Sequence, residues 1–426
     1  MTDESRIAAS MAAMRRSSLL RRVHFWAALI ASPFALIAVL TGFLYVFTPQ
    51  IEQMRYGQLD HVVPAATQRT LDEIVAAASA AVPEGGRVQS VYPADTPDDA
   101  AKISFLLDGA RQTTVYVNPY TAAVLGALPD TDRFSSWAKK LHSSLLQGSG
   151  WRWMIELAAS WLLVMLLTGI YLWWPRDGGT GFPVAGTRGR SAWRQWHGFA
   201  GVLLCTLTLT MLVTGITWSK YAGAQIRQLR DYAGQAPPQA PKNLVSLMET
   251  GNEFLSWQSA WMIARKVAPG ISMQIMAPVD EQGVWRVLSA DRSKPFGKFE
   301  MVMDAYSGKQ LYFAGWDDQP VFAKATALGI PFHRGEFGVW NQCLLILFAG
   351  GILFSLISGW MMYFKRPRGI SFFLPPILPG SLRALPVSVW VVLVLLLALL
   401  PMLAISFVVV SVIEVCIYWR SSPENG

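Results

Sequence analysis

Arg22-Val23-His24-Phe25-Trp26, followed by Leu40-Thr41-Gly42, has a counterpart in Arg194-Gln195-Trp196-His197-Gly198, followed by Val213-Thr214-Gly215. In both copies the glycine stands 18 positions after the histidine. A second pair of matches interleaves with the first. Leu141-His142 corresponds to Phe332-His333, and Thr168-Gly169 to Ser358-Gly359, 27 and 26 positions after their histidines. Trp173-Trp174-Pro175-Arg176 likewise corresponds to Tyr363-Phe364-Lys365-Arg366. Chance does not align so many parallel points, so the chain reads as a duplication with a period of about 170 to 190 residues.

Each matched motif borders an apolar run. The chain has 426 residues, 52% of them hydrophobic, with 18 Trp and only 15% charged. Soluble chains usually carry about 25% charged residues. The net charge of +8 admits nucleic acid or membrane as partner, and the apolar runs decide for membrane lipid and against nucleic acid. Five runs of spanning length occur, at 23–47, 151–174, 196–218, 339–364 and 387–418. The first is too long for a signal-peptide core and no small-residue cleavage site follows it, so it is expected to stay as a helix. The fifth contains Pro401 and reads as one long kinked helix, since a hairpin would need roughly 40 residues and a polar turn.

Short-loop cations set the orientation. They are Arg15, Arg16, Arg21 and Arg22, then Arg176, Arg188, Arg190 and Arg194, then Lys365, Arg366, Arg368 and Arg383. All fall on one side, so 1–22, 175–195 and 365–386 are expected in the cytoplasm of a bacterial inner-membrane protein. Segments 48–150 and 219–338, and the tail 419–426, then face the periplasm. Cys205, Cys343 and Cys416 lie within apolar runs and read as small apolar residues. No C-x-x-C-H stretch exists for covalent haem. Gly178-Gly179-Thr180-Gly181 follows no strand and is no nucleotide fingerprint. Trp137, Trp151, Trp153, Trp193, Trp196 and Trp340 cluster at run ends, as an interfacial belt does.

The two long polar segments repeat as well. In the first, 70–82 reads as a helix and 87–92, 102–107 and 113–117 as strands, before the turn Asn118-Pro119-Tyr120-Thr121. In the second, 253–267 reads as a helix and 272–276, 284–289 and 298–303 as strands, before Asp304-Ala305-Tyr306-Ser307-Gly308. Two related α+β modules are the expectation.

Taken together, a histidine at each helix start, a V/L-T-G near the helix end, a W-W-P-R-like stop and the N-P-Y-T or D-A-Y-S-G hairpin resemble the PepSY-associated transmembrane family, over roughly residues 15–370. These are bacterial iron-regulated inner-membrane proteins, and they include ferric-siderophore reductases of the FoxB type. The resemblance implies PepSY modules in the periplasm and haem-linked reductase activity. The expected fold is an α-helical polytopic membrane protein, a four-helix core from a parallel duplication plus a fifth C-terminal helix, with two PepSY-like modules outside.

Four of the five histidines occupy repeat-equivalent places; His61 has no counterpart and reads as structural. Electron-transfer haem takes two axial ligands and leaves no open position. Opposite ends of a span lie roughly 30 Å apart, so ligands pair only at matched depth. The expected iron ligands are therefore His24 with His197 at the cytoplasmic face, and His142 with His333 at the periplasmic face. Gly169 and Gly359 fall at the level of the inner pair, Gly42 and Gly215 at that of the outer. They either leave flat space for a porphyrin or let helices pack closely. Two haem b groups are the expected cofactors. A ferric siderophore is the expected periplasmic substrate, and Tyr120 and Tyr306 either frame a cleft for it or belong to the module cores. The chain carries no nicotinamide or flavin motif, so a quinol or a cytoplasmic reductase would supply electrons. Two other classes remain open: a siderophore or haem transporter, which the parallel rather than inverted repeat disfavours, and a non-enzymatic binding or sensing protein.

Overall fold

The computed structural model describes residues 3–107, 111–175, 180–247, 253–366 and 374–421. Arg176, Arg368 and the Gly178-Gly179 pair lie outside them. In chain order, α1 (Asp3–Val46) leads into α2 (Thr48–Asp60), α3 (Leu71–Ala80), the strands β1 (Arg87–Tyr92), β2 (Ala101–Leu107), β3 (Arg111–Val117) and β4 (Val124–Pro129), and α4 (Phe134–Ser144). Then come α5 (Trp153–Trp173), α6 (Gly189–Leu203), α7 (Cys205–Ile216) and α8 (Ala222–Tyr232). The second insertion holds α9 (Trp257–Val267), β5 (Met273–Met276), β6 (Val284–Ser289), β7 (Glu300–Asp304), β8 (Gln310–Ala314) and α10 (Val321–Arg334). The chain closes with α11 (Val339–Phe364), α12 (Val387–Leu399) and α13 (Pro401–Ser421). Two units result: a helical one from Met1–Leu44, Lys140–Leu229 and Gln342–Gly426, and a sheet unit from Tyr45–Lys139 and Arg230–Asn341.

In the helical unit, α1, α5, α11 and α13 are long and apolar enough to cross a membrane, and α6 with α7 makes a fifth span if the bent pair counts as one. Three expectations need correction. The helix expected over 23–47 begins at Asp3, because the polar 3–22 stretch of Ala, Met, Arg and Ser also favours helix. The span expected over 196–218 is broken between α6 and α7 and bent by 60°. Beyond the break, the hydroxyls of Thr210 and Thr214 bond carbonyls one turn back, at 2.9 and 2.7 Å, a pattern that bends helices. The side chain of the breaking residue, Leu204, seats against Gly351 of α11, where a Cβ would collide with it.

The third correction concerns the C-terminal run, which is a hairpin and not one kinked helix. Leu400 has φ −121° and ψ 86°, outside the helical region, and Pro401 starts the next helix without an N–H to donate. α13 packs back along α12. Arg22 marks the level to which the chain returns: it donates to the Pro375 carbonyl at 2.9 Å, before α12, and forks onto Glu414, near the end of α13, at 2.7 and 2.8 Å. Ser18, one turn earlier on α1, lies 3.1 Å from Ser381. α13 therefore ends beside the basic segment of α1, not at the opposite face. No polar turn was needed because the turn is buried by protein: Leu400 and Leu403 are 3% and 1% exposed, in a cluster with Trp161, Ile216 and Ala222. The carboxamide of Gln225, with its nitrogen toward them, donates to the carbonyls of Ala398 and Leu399 at 3.0 and 3.1 Å. That meets acceptors which the end of α12 would otherwise leave unpaired.

In the sheet unit, the two expected modules share one sheet. A single antiparallel sheet runs β4-β3-β2-β1-β5-β6-β7-β8, joined across the duplication where Val91 of β1 pairs with Ile275 of β5. Alternate residues, among them Ile103, Phe105, Val115, Val117, Val287, Met301 and Met303, turn to one buried face. α3 and α9 share the hydrophobic core on that face. The two helices also cap each other. Asp72 accepts from the backbone N–H groups of Trp257 and Gln258 at 2.9 and 3.2 Å, while Gln258 Oε1 accepts from Leu71 N–H at 2.8 Å.

Two measurements check these findings. Cysteines introduced as Ser5→Cys and Arg420→Cys should both label with an impermeant maleimide from the same side of sealed vesicles; labelling from opposite sides would mean a through-going C-terminal helix. Asp72→Ala should lower sheet-unit stability by about 1–2 kcal/mol by leaving two amides uncapped. Hydrogen exchange at Trp257 and Gln258 in the full chain should accelerate accordingly.

Candidate functional site

His24 does not start α1 but stands in its interior, 21 positions after Asp3. His197 is likewise inside α6. Despite their separation in sequence, the two rings approach to 6.3 Å between centroids with planes at 87°. Each ring is held by the other long helix of its own half. His24 Nδ1 lies 2.9 Å from the Thr168 hydroxyl on α5, and His197 Nδ1 lies 2.8 Å from the Ser358 hydroxyl on α11. The glycine that follows each hydroxyl receives the edge of the same ring. A Cβ on Gly169 would stand 3.4 Å from His24 Cε1, and one on Gly359 3.8 Å from His197 Cε1.

His142 repeats this arrangement at another level. Its Nδ1 lies 3.0 Å from the Thr41 hydroxyl on α1, and a Cβ on Gly42 would come within 3.2 Å of its Cε1. Thr41 follows His24 by 17 positions on one helix. The rise of about 1.5 Å per residue separates the two levels by roughly 25 Å. His142 sits in the last turn of α4, and Leu145 and Leu146 directly after it have φ of 51° and 63°. Two consecutive leucines in the left-handed region are strained and turn the chain sharply away from the helix. His333 occupies the matching place, in the last turn of α10, where Gly335 in the left-handed region closes the helix. His333 belongs to the sheet unit, and Gly215 lies at the end of α7.

The glycines therefore do something the sequence did not specify: at three sites they lie against an imidazole. The hydroxyls were missed altogether. Their signal was present, because Thr41, Thr168, Thr214 and Ser358 each stand one position before a motif glycine. Both tyrosine hydroxyls bond the backbone. Tyr120 donates to the Pro97 carbonyl at 2.7 Å, and Tyr306, stacked on Phe254, donates to that of Glu281 at 2.8 Å. His61 faces Asp98 and Asp99 at 3.8 and 3.7 Å. Among the described residues no cluster of three or more His, Cys, Asp or Glu could hold a bare metal ion.

Several long apolar helices, an eight-stranded sheet unit and paired histidines within a helical bundle define a multi-pass membrane protein with a polar insertion in each half. The chain belongs to the PepSY-associated TM family: residues 21–366 match the family's model, described as the PepSY-associated TM region. That makes it a membrane protein of the iron-regulated type. No curated protein matches the chain.

The glycine contacts can be tested against an internal control. Gly42→Ala should push on His142 and lower the thermal midpoint of the full chain in detergent, as overpacking does at a cost of about 1–3 kcal/mol. Gly201→Ala, in α6 with nothing within 4 Å, should be neutral or raise it through helix propensity, by up to about 1 kcal/mol.

Proposed function

We propose that the protein is a haem-containing reductase of the bacterial inner membrane, which passes electrons outward to a ferric siderophore in the periplasm. The observation that carries this reading is the His24–His197 pair. Their rings approach to 6.3 Å between centroids, close enough that the two imidazoles would hold one haem iron between them. The donor set suits the purpose, since two imidazoles leave no open position for dioxygen.

In this reading His24 and His197 hold an inner haem b, and His142 with His333 an outer one. Bound there, each haem supplies a one-electron Fe(III)/Fe(II) couple. The chain's own residues orient the rings: His24 lies against the hydroxyl and glycine of α5, and His142 against those of α1. The substrate would gain one electron per iron, and Fe(II) is held less tightly by hard oxygen ligands, so it is released. A quinol or a cytoplasmic reductase would be the donor. The basic segments favour a cytoplasmic N-terminus. The hairpin adds Arg420 to that same basic end. The membrane core is then the duplicated four-span bundle with the α12–α13 hairpin beside it.

A dithionite-reduced minus oxidised spectrum of the purified protein tests this directly. The expected result is a b-type spectrum with two haem equivalents by pyridine haemochrome. His24→Ala and His197→Ala should each lose the same equivalent, and His142→Ala and His333→Ala the other. A colourless wild-type protein, or haem retained in full by all four variants, would end the reading.

A further inference from the structure

The sequence points to the histidines; the structure shows what stands behind them. At three sites the same local pattern recurs. A hydroxyl residue on a neighbouring helix faces Nδ1, and that hydroxyl's own hydrogen is already committed. Thr168 Oγ1 donates to the Val164 carbonyl at 2.7 Å and Thr41 Oγ1 to that of Ile37 at 2.7 Å, each one turn back; Ser358 Oγ donates to that of Ser355 at 3.2 Å. A hydroxyl has one hydrogen to give. With it spent on the backbone, the oxygen can only accept from the imidazole. The partner of each Nδ1 is therefore an acceptor, so Nδ1 carries the hydrogen.

We infer that Thr41, Thr168 and Ser358 are positioning residues that fix His142, His24 and His197 as Nδ1–H tautomers, each presenting the Nε2 lone pair as the ligating atom. A neutral imidazole has one hydrogen for two nitrogens. Committing it to a hydroxyl on the helix behind leaves Nε2 bare and sets the direction of the ring. A hydrogen bond at the far nitrogen also makes the ligating one more basic. The hydroxyls thus act on ring orientation and on the electron-donating strength of the ligand, without touching the ligated group. The glycine after each hydroxyl belongs to the same device, since it lets Cε1 approach the helix closely enough for Nδ1 to reach the oxygen. Thr214, the fourth copy, has its hydroxyl hydrogen committed in the same way, to the Thr210 carbonyl at 2.7 Å.

The tautomer stands independently of any bound group; its consequence for a ligand rests on the haem reading above. The test uses the full chain labelled with ¹⁵N-histidine, in lipid, as wild type, Thr168→Val and Thr168→Ser. Valine keeps the shape of threonine and removes the acceptor; serine restores it. In the wild type, the ¹⁵N shifts of His24, assigned by comparison with His24→Gln, should report a protonated Nδ1. Thr168→Val should move that signal, and Thr168→Ser should return it. Where haem is bound, Thr168→Val should weaken its retention by about tenfold to hundredfold. It should also raise the midpoint potential of the His24/His197 haem alone, with Thr168→Ser close to wild type and the other haem unmoved. A wild-type signal from protonated Nε2, or a Thr168→Val protein with unchanged shifts, would overturn the inference. A colourless wild type with protonated Nδ1 would instead sink the haem reading and leave the tautomer intact.

Discussion

Inside a bilayer a polar group has no water to fall back on, so each must find its partner within the protein. Much of the helical unit follows from that constraint. Glu156, 1% exposed on α5, sits where two backbone amides need an acceptor: its oxygens take the N–H groups of Tyr221 and Ala222 at 2.9 and 3.0 Å, at the start of α8. Trp161 finds Ser406 on α13 at 2.9 Å. Arg22 satisfies Glu414 and a loop carbonyl together, and the Trp26 indole also donates to Glu414. A buried pair of this kind adds little net stability, whereas removing one partner leaves a charge stranded at a cost of about 3–5 kcal/mol. These contacts fix which helix lies beside which more than they strengthen the whole.

The histidines obey the same rule with a different outcome. His24, His142 and His197 each meet a hydroxyl of a neighbouring helix through Nδ1. His24 and His197 stand two positions after Arg22 and three after Arg194, so the ring pair is embedded next to the most strongly charged part of α1 and α6. Rigidity of the ring is then inherited from the bundle: His24 cannot turn without breaking its contact with α5, nor His197 without breaking its contact with α11.

The elements of the sheet unit were legible because strand alternation and Asx-type turns are local signals. Asn118 and Asp304 accept from the amides two and three positions ahead, as such turns require. That β1 and β5 would pair was not legible, since nothing local to either strand specifies a partner some 180 residues away. In the helical unit, hydropathy located the apolar runs but is blind to where they bend. Leu204 and Leu400 are as apolar as their neighbours, and the breaks there are decided by Gly351 and Gln225 on other elements. The paired places of His24 and His197 could be read from spacing alone, whereas the hydroxyls behind them were visible as a recurrent Thr-Gly or Ser-Gly and yielded no role until the long-range contacts were seen.

The seam between β1 and β5 has a consequence for what half of this chain could be. A protein ending after the first half would display β1 as a bare edge, an invitation to pair with any exposed strand. It would also hold α3 with Asp72 facing no amides, and a solitary imidazole in its bundle. A twofold dimer of such halves would cure all three defects at once, because an isologous interface offers every missing group to both partners. Fusion of the halves makes that partnership intramolecular. It also frees them to diverge, so that Thr168 in one copy corresponds to Ser358 in the other, and the two imidazoles rest on unlike hydroxyl residues.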